Sequence, residues 1–363
     1  MTIDEHFQIK EKLDRWRKFY DSAKPALMVA VKPIWSGANE AIFYHRSFQL
    51  NDFDMLDENQ HLQYLDQVAK SHLEYIRHLP NIGDDYIPHV FLYYGQAIFS
   101  TFVYDRPVRM IDDTSWTNPC IKNLKDIDQI KLDDNNFWFR LYNRGNVYLQ
   151  NRLSDKSRIT GANDYGPLDL ANALRGDSLF TDFYDEPDKL HQLMDLCTQA
   201  IIWRGDAKRA ITYDVGGGTM SLFMFWTPGK TGVISLDTSI MINPELFEEF
   251  ELPYIQRIVD HCGGYAFHIH GAWHQYKNYA KIKNIQMLNI TSDPNMAKSI
   301  DNLGLILDTF GDTPIHLDLK PDEIFQHIDL LKQGRFFITT QSDSEKETLE
   351  ILELIKNNSR VYN

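Results

Sequence analysis

Past about residue 155 the chain alternates between two rhythms. Short apolar runs rich in β-branched and aromatic residues give way to stretches whose apolar positions recur every third or fourth residue. The first rhythm predicts strands and the second amphipathic helices. Strands are predicted at Arg158-Ile-Thr-Gly-Ala, Ser221-Leu-Phe-Met-Phe-Trp, Gly232-Val-Ile-Ser-Leu-Asp, Tyr265-Ala-Phe-His-Ile-His, Ile285-Gln-Met-Leu-Asn-Ile, Pro314-Ile-His-Leu-Asp-Leu and Arg335-Phe-Phe-Ile-Thr-Thr. Between them, the helix after Pro187 carries Leu190, Leu193, Met194, Cys197 and Ile201 on one stripe. Another opens at Asn243-Pro244, an N-cap followed by proline at the first helical position, and stops at Gly263-Gly264. Ser344 and Glu347 have the spacing of a capping box.

The N-terminal third is less regular. Helices are predicted at about 4–21 and 57–78, around a first strand Ala26–Val31, and a further helix near 134–153. Residues 80–155 read as the first barrel strands plus a lid or side insertion. The turn-rich loop Asp112–Pro119, with Trp116 in it, is expected to close over a barrel mouth. Serial strand–helix units demand a parallel sheet. No glycine-rich phosphate fingerprint opens the first units, which disfavours a doubly wound sheet. The expected fold is therefore α/β, a (β/α)8 TIM barrel with an N-terminal helical extension, spanning residues 1–363 as one domain.

Composition narrows the function classes. An apolar content of 43% excludes a disordered chain, and a net charge of −14 repels nucleic-acid phosphates. Cys120, Cys197 and Cys262 are scattered without paired spacing, as in a reducing compartment. The acidic, polar N-terminus is unlike a signal peptide, and no apolar run is long enough to span a membrane. A cytoplasmic enzyme is expected, with no nucleic-acid or membrane partner.

Candidate chemistry gathers at predicted strand ends. In Phe267-His268-Ile269-His270-Gly271 the two histidines share one face, so both project into the mouth of a barrel. Two imidazoles so placed grip a metal or an anionic substrate, or remain neutral hydrogen-bonded side chains. Asp237 lies just past another strand and could join them as ligand, base or orienting carboxylate, or else cap a loop. Asp164 and Asp169 flank Gly166-Pro167 at a further strand–helix junction. Arg175 could clamp a substrate carboxylate or end its helix. Trp116, Trp226 and Trp273 could wall a pocket or pack in the core. His316 and Asp318 share a strand face and could join the histidine pair. Gly216-Gly-Gly218 lacks the Lys-Ser/Thr of a phosphate loop, and serine-hydrolase and zincin motifs are absent.

Three stretches resemble the uroporphyrinogen-decarboxylase-like superfamily. They are Asn163-Asp-Tyr-Gly-Pro-Leu-Asp-Leu-Ala-Asn-Ala-Leu-Arg-Gly176 with Phe183-Tyr-Asp-Glu-Pro-Asp188, the segment Leu236–Tyr254, and the His-x-His-Gly strand. The resemblance covers about residues 155–350 and implies a barrel enzyme. Decarboxylases of the superfamily grip substrate through an arginine-rich stretch that has no counterpart in Ala26–Trp35. The corrinoid methyltransferases hold zinc through His-x-Cys and a distant cysteine. Here His268 matches, His270 replaces the cysteine, and Thr340-Gln-Ser-Asp343 carries none. The resemblance thus implies a methyltransferase-like enzyme for a small molecule, with zinc or another divalent metal on Asp237, His268 and His270. Asp164, Arg175, Trp116 and Trp226 would bind substrate. A corrinoid protein is the implied partner, and a homodimer is left open. A metal-independent lyase or decarboxylase on a carboxylate-bearing substrate, and a non-catalytic binding barrel, remain the alternatives.

Overall fold

The computed structural model describes residues 3–21, 25–38, 49–112, 114–153, 157–160, 163–212, 214–229, 231–293 and 297–362. Among these, eight parallel strands follow the predicted rhythm. They are β1 (Ala26–Pro33), β2 (His89–Val90), β3 in two pieces (Arg158–Ile159 and Asn163–Tyr165), β4 (Val233–Ser235), β5 (Tyr265–His270), β6 (Ile285–Thr291), β7 (Ile315–Asp318) and β8 (Arg335–Ser342). The piece Arg158–Ile159 pairs with β2 and the piece Asn163–Tyr165 with β4. From β4 the pairing runs through β5, β6, β7 and β8 and returns to β1.

Period-two alternation sorts each strand between two cores. Leu27, Val29, Ile234, Phe267, Ile269, Leu288, Ile315 and Ile338 pack outward against the helical ring. Met28, Ala30, Val233, Ala266, Met287 and Phe337 face the barrel interior, where Trp16 and Phe19 of the helix Ile9–Asp21 close one end. Further along the same inward face the residues turn polar, to His268, Asn289, His316 and Thr339. A third cluster, built on the helices Glu58–His78 and Phe137–Leu153, packs residues 50–159 against the side.

Between β1 and β2 no strand ladder forms among the described residues. The N–H groups on the free edge of β1 are taken by side chains instead: Leu27 donates to Ser359 Oγ (2.9 Å), Val29 to Asp85 Oδ2 (2.9 Å) and Val31 to Asp84 Oδ2 (3.1 Å). Each carboxylate has its own cation. Lys12 meets Asp84 at 3.0 Å and Arg15 meets Asp85 at 2.6 Å, while the Tyr362 hydroxyl also donates to Asp85.

Two predicted elements are corrected. Ser221–Trp226 is not a barrel strand. It forms the turn of an antiparallel hairpin, Gly218–Met220 with Trp226–Pro228, in which Met224 takes a left-handed φ of 68°. Its apolar residues belong to the interior core, because Met220, Met224, Phe225 and Trp226 fill the barrel from the end opposite the strand termini. The helix from Asn243 also divides, into Pro244–Phe250 and Leu252–Cys262, since Pro253 has no N–H to continue the first. Gly263 ends the second at φ 77°, a conformation that favours glycine. Among the described residues no helix is long and apolar enough to cross a membrane.

Buried charges give the fold a pH signature. Lys208 is enclosed with Asn146 as its hydrogen-bond acceptor and the Tyr142 ring 5.2 Å away, and burial drives its ammonium down to about 7. Between pH 7 and the ordinary lysine value the unfolded chain binds the extra proton, so stability rises with pH there. Urea titrations of the parent and Lys208→Met should diverge across that window, by up to about 1.4 kcal/mol per pH unit. A constant difference would show that Lys208 stays charged. Removing a clasp carboxylate by Asp85→Ala should cost about 3–5 kcal/mol by the same assay, because a paired cation is left buried.

Candidate metal centre

The site grows from the ends of β4, β5 and β6. The β5 residues His268 and His270 project inward as the alternation requires, with ring centroids 5.0 Å apart. Asp237 opens the short 3-10 turn Asp237–Met241 after β4. Its Oδ1 lies 3.3 Å from His270 Nε2 and 3.8 Å from His268 Nε2. One ligand atom from each of the three residues falls within 4.8 Å of the others. The predicted trio therefore converges.

Both imidazoles are held from behind. His270 Nδ1 meets Asp293 Oδ1 at 2.6 Å, and His268 Nδ1 meets Asn289 Oδ1. Asn289 Nδ2 lies 2.8 Å from His316 Nδ1, and His316 Nε2 lies 3.1 Å from Thr339 Oγ1. Burial pushes His316 down to about 3, helped by the charge of Lys32, so it is neutral. Burial also lowers His268, against the pull of Asp237. The hydrogen bond to Asp237 leads the causes that raise His270 to about 9, with Asp293 adding to it. Nε2 lone pairs facing a carboxylate oxygen at such distances call for a proton or a cation between them.

Asp169 fixes the Asp237 turn. Its buried carboxylate accepts from Ser235 Oγ (2.6 Å), Asp237 N (3.1 Å) and Thr238 N (2.7 Å). Burial, and then the charge of Asp237, raises it to about 6. From below, Phe223 at the hairpin tip stacks on His268 at 5.0 Å and 14°. A cavity of about 240 Å3 lies beside this stack, lined by Lys32, Phe223, Asn289, His316, Asp318 and Thr339. It shares Ser292 and Asp318 with an outer cleft of about 520 Å3 toward Lys298 and Lys320. A groove of about 620 Å3 along Tyr104, Asp128, Lys131 and Phe137 shares none of these residues.

Of the other sequence candidates, Asp169, His316 and Asp318 lie beside the trio, whereas Asp164, Arg175, Trp226 and Trp116 are engaged elsewhere. Asp164 is buried in an ion pair with Arg204. Arg175 ends its helix as a clamp on Asp182, at 2.6 and 3.0 Å, and on the carbonyls of Ile121 and Lys122. Trp226 is walled into the interior hairpin, its indole N–H donating to Val215 O at 2.8 Å. Trp116 stands 56% exposed on the hairpin Arg109–Ile111/Thr114–Trp116. That hairpin packs Ser115 on Gly95, and Pro119 beside it packs on Gly176, so no described contact carries Trp116 to the trio. Sequence reasoning missed Asn289, Asp293, Phe223 and Thr339. Asn289 alone left a trace, as a polar residue on the inward face of an apolar strand.

A parallel eight-strand barrel bearing an inward His–His–Asp cluster at its strand ends defines the class: a barrel whose site is assembled from successive strand ends. The family model for uroporphyrinogen decarboxylase (URO-D) matches residues 108–333, and the chain belongs to that family. No curated protein matches it in sequence. Among solved structures it is similar to a methyltransferase from Methanosarcina mazei, with a TM-score of 0.58 at 13% identity. That likeness spans 96% of this chain and 98% of the other, and it speaks for the fold.

The Asp237 turn offers its own test. Asp169→Ala strands two backbone donors and should destabilise the protein by about 2–4 kcal/mol in urea. A change under about 0.5 kcal/mol would mean water replaces the carboxylate without loss.

Proposed function

We propose that the chain is a divalent-metal-dependent methyltransferase acting on a small molecule, with His268, His270 and Asp237 as the metal ligands. The observation that carries this reading is the outward engagement of both Nδ1 atoms while both Nε2 atoms face Asp237. Hydrogen bonds of that kind from the far ring nitrogen orient metal-bound histidines and raise their basicity. Two nitrogens and one carboxylate suit zinc and the other borderline divalent ions, and leave room for a substrate group. A bound metal would supply Lewis acidity, lowering the pKa of the acceptor's coordinating group.

The chain's own residues do the rest. Asp293 and Asn289 hold the rings, Asp169 holds the Asp237 turn, and Phe223 stacks beneath His268. The methyltransferase likeness of the fold supports methyl transfer over decarboxylation, as does the lack of an arginine-rich substrate grip. The methyl donor that fits is a corrinoid protein docking over the strand ends. No cysteine joins the described cluster, so the site differs from a thiolate zinc centre in its ligands.

Elemental analysis of protein purified without chelator or affinity-tag metal tests this. Close to one divalent ion per chain is expected, falling at least tenfold in the His268→Ala, His270→Ala double variant. Substoichiometric metal unchanged by that variant would overturn the reading. A second reading then gains ground, because His270 between two carboxylates, pushed up to about 9, is an imidazolium able to act as a general acid. Under that reading turnover survives chelation and is lost in His270→Ala.

A further inference from the structure

The side chains behind His268 form a chain that can be read in one direction. Asp318 Oδ1 lies 3.0 Å from Thr339 Oγ1, and a carboxylate can only accept, so the threonine hydroxyl donates to it. Having spent its proton, Thr339 Oγ1 accepts from His316, which therefore carries its proton on Nε2. The neutral imidazole is then bare at Nδ1 and accepts from the Asn289 amide nitrogen at 2.8 Å. That orients the amide oxygen toward His268 and obliges His268 to donate from Nδ1. The last atom in the chain, His268 Nε2, is left as a lone pair facing Asp237.

We infer that Asp318, Thr339, His316 and Asn289 are positioning residues that hold His268 in the Nδ1–H tautomer and so aim its Nε2 lone pair into the metal centre. The inference deepens the metal reading and rests on it for its purpose, although the tautomer can be measured without metal. The residues come from β5, β6, β7 and β8, where His268 and Asn289 are register partners, as are Asn289 and His316, and Asp318 and Thr339. His316 and Thr339 are buried at the wall of the cavity of about 240 Å3, while Asp318 at its outer end is exposed. An amide in the middle prevents the chain from conducting a proton, because it would have to become an imidic acid. The chain orients His268 and relays no proton. The general physics is that the hydrogen bond at one imidazole nitrogen decides what the other can do.

Thr339→Val removes the link to Asp318 at nearly constant shape, and Thr339→Ser keeps it. In the metal-free full-length protein, nitrogen NMR of the histidine rings should show His268 protonated at Nδ1 in the parent and in Thr339→Ser. In Thr339→Val the Nδ1–H form should appear on His316 and, as the Asn289 amide turns over, the Nε2–H form on His268. Zinc affinity, from competition with a chromophoric chelator, should fall about 10–100-fold in Thr339→Val and recover in Thr339→Ser. His268 protonated at Nε2 in the parent, or a tautomer that ignores Thr339→Val in a folded protein, overturns the inference. The expected tautomers with no zinc bound by any variant would instead sink the metal reading and leave the positioning chain standing.

Discussion

A barrel built from parallel strands must satisfy the free edge of its first strand, and here two aspartates do so. The N–H groups of Val29 and Val31 would ordinarily bond to a neighbouring strand, yet β2 is short and pairs with β3. Asp85 and Asp84 accept those bonds, and the Asp85 N–H returns one to Val29 O at 2.9 Å. A buried carboxylate is tolerable only when its charge is met, which Lys12 and Arg15 supply from the helix preceding β1. The N-terminal helix and the C-terminal Tyr362 are thereby tied to the same seam. Because β8 pairs with β1 along its whole length, this seam also sets where Thr339 stands relative to β7.

The interior divides along its axis into an apolar half and a polar half, and one hairpin makes the boundary. Gly218–Pro228 fills the lower half with Met220, Met224, Phe225 and Trp226, and its tip brings Phe223 under His268. The left-handed backbone at Met224, costly for a side chain of that size, is held by packing on all sides. Above that floor the inward residues are histidine, asparagine, threonine and aspartate. Their hydrogen bonds run across the strands in register, so the site's geometry is a property of the barrel more than of its loops. Asp237 is the exception, and Asp169 ties its turn to the helix Pro167–Arg175.

Much of this was legible in the sequence. The strands β4 to β8, the helix start at Asn243 and the glycine stop at Gly263 follow from local periodicity and capping, which act over a few residues. His268 and His270 could be placed on one face because alternation along a strand is a local property as well. Their meeting with Asp237 followed from the rule that successive strand ends share one mouth.

What the tertiary structure decided was partnership. Arg175 and Asp164 have the residue types of a substrate site, but Asp182 and Arg204 take them up, and neither partner is predictable from spacing. The apolar run Ser221–Trp226 has a strand's composition, and composition cannot say that its burial is supplied inside the barrel by residues far apart in the chain. The tautomer of His268 lies furthest from the sequence. It depends on four residues drawn from three other strands, whose order around the barrel is a consequence of closure. Local pattern determined which elements form and which faces they present, because those choices are made within a turn or two of chain. Which hydrogen-bond partner each polar group meets was decided only when the sheet closed, because that meeting joins residues no local interaction connects.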